Sequence, residues 1–125
     1  MKKLLKIDCV MYRVSNLDTA AKFYSEVLGL KRVWRDDESQ MIGFIFPQSD
    51  SEVVIHTNPD IPNPDFCFLV ENVEGFVKEY KEKGFKVCKE PFDVRPGKFA
   101  VLSDPDGNII NIIDLTKFGG KPKFD

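Results

Sequence analysis

Val14-Ser-Asn-Leu-Asp-Thr-Ala-Ala-Lys-Phe-Tyr24 reappears without a gap, 56 residues further on, as Val70-Glu-Asn-Val-Glu-Gly-Phe-Val-Lys-Glu-Tyr80, with Val, Asn, Lys and Tyr identical. After one slipped residue the match resumes at Gly29 and Gly84, each followed by an apolar residue and a lysine. A repeat of this kind makes each copy one supersecondary unit. Asn16 and Asn72 suit helix N-caps, whose side chains accept from the first free N–H groups. Leu17, Ala20, Ala21, Tyr24 and Leu28 recur at helical spacing in the first copy, as do Val73, Phe76, Val77 and Tyr80 in the second. Gly29 and Gly84 then suit the left-handed residue that closes a helix.

Around each helix the sequence predicts strands. Ile7 to Val14 and Asp65 to Val70 are short, apolar and run straight into the caps. Three strands follow each helix: Leu30 to Arg35, Met41 to Phe46 and Glu52 to Thr57 in the first copy, and Phe85 to Lys89, Phe99 to Ser103 and Ile109 to Leu115 in the second. Pro59-Asp-Ile-Pro-Asn-Pro64 lacks donors and fixes its backbone, so it reads as a linker. Asp104-Pro-Asp-Gly-Asn108 has hairpin-turn chemistry, and the tail from Thr116, with Gly119-Gly120 and Pro122, reads as a loose extension. The expectation is one α+β domain over residues 1–125, built from two tandem βαβββ modules at about 5–58 and 65–115, a linker at 59–64 and a tail at 116–125.

Composition narrows the classes of function. The 125 residues can bury a core without staples, and 42% hydrophobic against 30% charged residues is an ordinary globular balance with no membrane-length apolar run. Eighteen basic and twenty acidic residues leave a charge of -2, which speaks against nucleic acid as a partner. Lys6 and Asp8 interrupt the start before a signal-peptide core forms, and three widely spaced cysteines fit reduced thiols. A cytoplasmic protein is expected.

Leu17-Asp-Thr-Ala-Ala-Lys-Phe-Tyr-Ser-Glu-Val-Leu-Gly-Leu30, the duplication and Asp104-Pro-Asp-Gly-Asn108 together resemble the vicinal oxygen chelate superfamily of glyoxalase I, bleomycin resistance proteins, extradiol dioxygenases, fosfomycin resistance transferases and methylmalonyl-CoA epimerases. The resemblance spans about residues 5 to 115. It implies curved mixed sheets enclosing a cavity, commonly in a homodimer, and in the enzymes a divalent metal held by one residue from the first and one from the last strand of each module. Anchored on Val14 and Val70, the first-strand positions fall at Cys9 and Asp65; anchored on Ile55 and the turn at Asp104, the last-strand positions fall at His56 and Asn111. Strand alternation would put these on one face with Met11, Arg13, Val54, Cys67, Leu69, Ile109 and Ile113, leaving Ile55, Phe66, Phe68, Ile110 and Ile112 toward the helices. The family's metal enzymes commonly carry glutamate on the final strand, where Asn111 stands here, and an amide neither neutralises a cation nor takes a proton at neutral pH.

Cys9, His56 and Asp65 are therefore the metal set if a metal binds, with zinc, nickel, manganese and iron as the choices, and no cofactor is the favoured reading. Each residue has a plainer alternative. His56, the only histidine, suits a hydrogen-bonded cavity residue; Cys9 and Cys67 suit small buried hydrophobes; Asp65 suits a strand-start cap. If Cys9 and His56 lie side by side, the imidazole would make the thiol reactive. Arg13 on an apolar face needs an anionic partner, either an internal carboxylate such as Asp65 or a ligand, and its position resembles the arginine with which glyoxalase I meets a substrate carboxylate. Trp34 is a possible wall residue, Asp104 and Asp106 read as turn formers, and Arg95 and Lys98 as a solvated loop. The leading expectation is metal-free binding of a small organic anion or aromatic compound by Arg13, His56, Asn111, Met11, Cys67, Leu69 and Trp34. A metal-dependent lyase, isomerase or dioxygenase is the alternative, and a catalytically silent partner-binding module the third.

Overall fold

The computed structural model describes residues 3–119. Of the expected tail, Gly120 and Pro122 lie outside the described residues, while Thr116–Phe118 form one 3-10 turn. No helix among the described residues is long and apolar enough to cross a membrane. The chain is α+β and divides into two compact units, residues 8–66 and residues 3–7 with 67–119, which follow the repeat.

In the first unit β1 (Lys6–Arg13) leads into α1 (Leu17–Lys22), a π-helical turn (Phe23–Val27), then β2 (Lys31–Asp36), β3 (Met41–Phe46) and β4 (Ser49–His56). The strand order is β2-β3-β4-β1, with β1 and β4 parallel and the other pairs antiparallel. Asn16 caps α1 by accepting from Thr19 N–H. Leu17 and Ala21 of α1 pack on Ile42, Phe44 and Ile55, so alternate residues of β3 and β4 face the helix. The expected single helix through Leu28 instead widens, Leu28 N–H donating to the Phe23 carbonyl five residues back. The extra residue that slips the repeat between Tyr24 and Gly29 is taken up by this turn, since a π-bulge absorbs an inserted residue without ending the helix.

The second unit contains most of β5 (Asp65–Leu69), then α2 (Val73–Glu82), β6 (Val87–Asp93), β7 (Lys98–Ser103) and β8 (Ile109–Ile113), in the order β5-β8-β7-β6. Val73, Phe76, Val77 and Tyr80 of α2 pack on Ala100, Leu102 and Ile112, and the Tyr80 hydroxyl donates to the Ser103 carbonyl. β6 starts at Val87 rather than the expected Phe85, because Phe85 N–H still closes the helix on the Tyr80 carbonyl. β8 stops at Ile113 rather than Leu115, because the next residue turns its carboxylate inward. Asp114 is fully buried and accepts from Val73 N–H at the start of α2, from Lys98 N–H, and from the N–H and hydroxyl of Thr116.

Candidate functional site

With Ile42, Phe44 and Ile55 committed to the helix, alternation sends Glu52, Val54 and His56 of β4 to the opposite, helix-free face of the first sheet. The register fixes their neighbours: Cys9 lies beside Glu52, Met11 beside Val54 and Arg13 beside His56, with Ile45, Gly43 and Met41 on the other flank. Met11, Trp34 and Met41 are partly exposed, whereas Cys9, Glu52, Val54 and His56 are buried.

His56 is fully buried, and its two nitrogens differ. Nδ1 accepts from Asn58 N–H at 3.0 Å, which fixes the neutral ring with its proton on Nε2, and that Nε2–H is buried with no partner among the described residues. Burial, followed by the positive charge of Arg13 and opposed by Asp65, holds the ring's pKa below its ordinary 6.5, so it is neutral at physiological pH. Such a histidine binds fewer protons folded than unfolded below that ordinary value. Stability is therefore expected to be fully present above about pH 6.5 and to fall as pH drops through the unfolded value toward the depressed folded one. Because the chain has one histidine, thermal melts between pH 7.5 and 5 should lose this slope in His56→Leu, and an unchanged slope would place its cause elsewhere.

Arg13 braces the segment that follows β4. Its guanidinium donates to the carbonyls of Asn58, Pro59 and Ile61, at 3.3, 3.3 and 2.7 Å, and its backbone N–H donates to Asn63 Oδ1. Neither sequence alternative, an internal acid or a ligand, anticipated this use as a brace for the linker, and Nη1 is the one guanidinium nitrogen not committed to it.

The four expected metal positions do not assemble as the sequence suggested. Cys9 is level with Glu52 and His56 with Arg13, four residues apart along parallel strands, or about 13 Å at roughly 3.3 Å per residue. One ion with ligands within about 2.3 Å cannot hold both side chains, and they do not lie side by side as a thiol and its base would. His56 also offers the wrong nitrogen chemistry, since a ligating histidine normally donates its second N–H outward, whereas Nδ1 here faces a donor. The cause is a shift in the repeat. Val14 N–H donates to the His56 carbonyl as Val70 N–H donates to the Ile113 carbonyl, so His56 corresponds to Ile113, and Asn111 corresponds to Val54. The Cys9, His56 and Asp65 set therefore does not fit one metal. In the second unit Cys67 and Asn111 are buried, Asn111 beside Val101, and Leu69 is half-buried beside Ile113. Cys88 is exposed and the three cysteines form no disulfide.

The turn residues behave as turn residues. Asp104 accepts from the N–H groups of Asp106 and Asn108 and from the Asn108 amide, which hold its carboxyl below the usual range, the Asn108 side chain most of all. Lys98 pairs with Asp93 at 3.0 Å.

Glu52, Gly43 and the reach of Trp34 escaped the sequence reading. A bulge in β2 lets Arg32 oppose Phe44 but Trp34 oppose Gly43, so the extra residue Val33 turns the indole onto the helix-free face. A Cβ on Gly43 would sit 2.1 Å from Trp34 Nε1, so the ring lies directly on that glycine, and its N–H donates to Glu52 Oε1. A glycine inside the apolar run Met41–Phe46 was the available signal, since it marks a close approach.

The sequence profile described as Glyoxalase/Bleomycin resistance protein/Dioxygenase superfamily matches residues 6–112. A protein named probable lactoylglutathione lyase, chloroplastic, from Arabidopsis thaliana is 33% identical over 120 residues, covering 84% of this chain and 34% of its own length. The chain thus spans only about a third of that relative. Among solved structures, methylmalonyl-CoA epimerase from Mycobacterium tuberculosis aligns with a TM-score of 0.69 at 15% identity, covering 90% and 89% of the two chains. The Mn(II)-bound glyoxalase from Novosphingobium aromaticivorans aligns at 0.62 with 23% identity, covering 90% of this chain and 39% of the other. These structural likenesses speak to fold.

Proposed function

Because the chain belongs to the glyoxalase/bleomycin resistance protein/dioxygenase superfamily, we propose that it binds a small organic anion or aromatic compound, without a metal, against the helix-free face of the first sheet. The observation that carries this reading is His56: a buried, neutral imidazole whose Nε2–H has no partner among the described residues. A buried donor left unmade costs about 1–3 kcal/mol, and a ligand carboxylate or carbonyl oxygen would recover that loss. The adjacent Arg13 adds positive potential that favours an anion. A second copy of the chain belongs to the same proposal.

A second reading rests on the relative named a lactoylglutathione lyase, which favours a metal-dependent lyase or isomerase. It requires ligands other than the Cys9, His56 and Asp65 set, because the β1/β4 register holds Cys9 and His56 apart. Elemental mass spectrometry of untagged protein purified without chelator separates the two. Less than a tenth of an equivalent of metal, even after soaking in zinc, nickel, manganese and iron, is the expected result. A near-stoichiometric metal would overturn the first reading, and the solution mass of the same preparation should be twice that of the chain.

A further inference from the structure

The outward side of the first helix is apolar where packing does not require it. Phe23, Val27 and Leu28 are 48%, 67% and 52% exposed, and Phe23 and Val27, four residues apart, form one stripe along the helix. The duplication supplies the control. Its gapless stretch puts Glu79 at the position of Phe23, and counting back from Gly29 and Gly84 puts Glu82 and Lys83 at those of Val27 and Leu28. α2 therefore packs on its own sheet with three charged residues where the first helix carries three exposed apolar ones. Beside the stripe lies a groove of about 380 Å³, whose walls include Val14, Thr19, Ala20, Phe23 and Tyr24. The Phe23 ring stands edge-on to Tyr24, with centroids 5.7 Å apart. Contiguous exposed apolar surface of this kind marks a contact with another molecule.

The charges beside the stripe indicate which molecule. Lys22 and Glu26 precede Phe23 and Val27 by one residue each, so both stand on the same side of it, about one turn apart. Both are exposed, and neither forms an ion pair among the described residues. If two such helices lie antiparallel about a two-fold axis level with Tyr24, Lys22 meets Glu26 of the partner subunit, and Glu26 meets Lys22 of the partner subunit. The same axis brings Leu28 of the partner subunit level with Ala20, at the groove. We infer that the outer face of the first helix is a self-complementary interface on which two copies of this chain pair antiparallel. The inference rests on the second copy proposed above and gives it a face. One short helix from each copy makes an interface below about 1,200 Å², so the dimer dissociates in the micromolar range.

Sedimentation velocity of the full chain across that range tests it, with a shift from dimer to monomer on dilution as the expected result. Phe23→Glu and Val27→Glu give the first helix the residues that α2 already carries, so they keep the fold, and each should weaken the dimer at least about tenfold. Lys22→Glu alone and Glu26→Lys alone should each weaken it about fivefold, because like charges then meet twice. The double variant Lys22→Glu/Glu26→Lys should restore the affinity of the unaltered chain. A dimer that survives Phe23→Glu and Val27→Glu unchanged overturns this face while the second copy stands. A dimer weakened by the glutamates but indifferent to the charge reversals overturns the antiparallel pairing. A monomer at every concentration overturns both, and leaves the stripe to a partner other than this chain.

Discussion

Asp114→Ala is expected to lower the stability of the protein by about 4 kcal/mol, because four donors that converge on one buried carboxylate lose their acceptor together. For a chain of 125 residues that corresponds to a fall in Tm of about 15 °C. The carboxylate joins three segments far apart in sequence: the first N–H of α2, the start of β7 and the residue that opens the 3-10 turn. Its Oδ1 takes three of the four hydrogen bonds and Oδ2 takes Val73 N–H. Asp114→Asn can therefore keep its oxygen at the three-donor position and set its NH2 against Val73, so about half the loss is expected. The surroundings are as tightly built as the hub. A Cβ on Gly97 would stand 2.0 Å from Asp114 Oδ1 and 2.6 Å from its backbone oxygen, so Gly97→Ala should approach the cost of Asp114→Ala. Thermal melts of the three variants check this order, and an alanine at position 114 that costs less than 1 kcal/mol would refute it.

The parts of the molecule that the sequence disclosed are those written as periodicity. Helical spacing and caps placed α1 and α2, and the duplicated segment related them, since an amphipathic helix and its N-cap need only local residues. What stayed hidden depends on register. His56 was matched to Asn111 by anchoring on Ile55 and on the turn at Asp104, yet the hydrogen bonds of Val14 and Val70 show the strands displaced by two residues. A two-residue slip preserves the face of every side chain, so alternation could not reveal it. The bulge at Val33 is the opposite case: one inserted residue turns Trp34 to the other face, and nothing in Lys31–Asp36 marks where it falls. Nothing in the sequence sets Glu52 and Asp114 apart from the other acids of a chain with twenty acidic residues, because burial of a carboxylate is decided by donors that other segments bring. The linker contacts of Arg13 were hidden for the same reason, because its guanidinium meets backbone carbonyls that any residue would supply.

Gly43→Ala is expected to be the most damaging methyl group that can be added to the candidate site. The new Cβ would lie 2.1 and 2.2 Å from Nε1 and Cε2 of Trp34, inside any tolerable contact, so either the indole lifts from the sheet or β2 moves away from β3. If the indole lifts, Glu52 loses the N–H that orients it while remaining buried, a loss of about 2–3 kcal/mol. Tryptophan emission should shift to longer wavelength as the ring meets water, a clean signal from a chain with one tryptophan. The mechanism is separable from a simple loss of backbone freedom, because the three atoms nearest the new Cβ all belong to Trp34. In a Trp34→Ala background the added methyl group meets no indole, and Gly43→Ala should cost less than about 0.5 kcal/mol, giving a coupling energy of about 2 kcal/mol in the double-mutant cycle. Equal costs in the two backgrounds would mean that position 43 is glycine for a reason unconnected with Trp34.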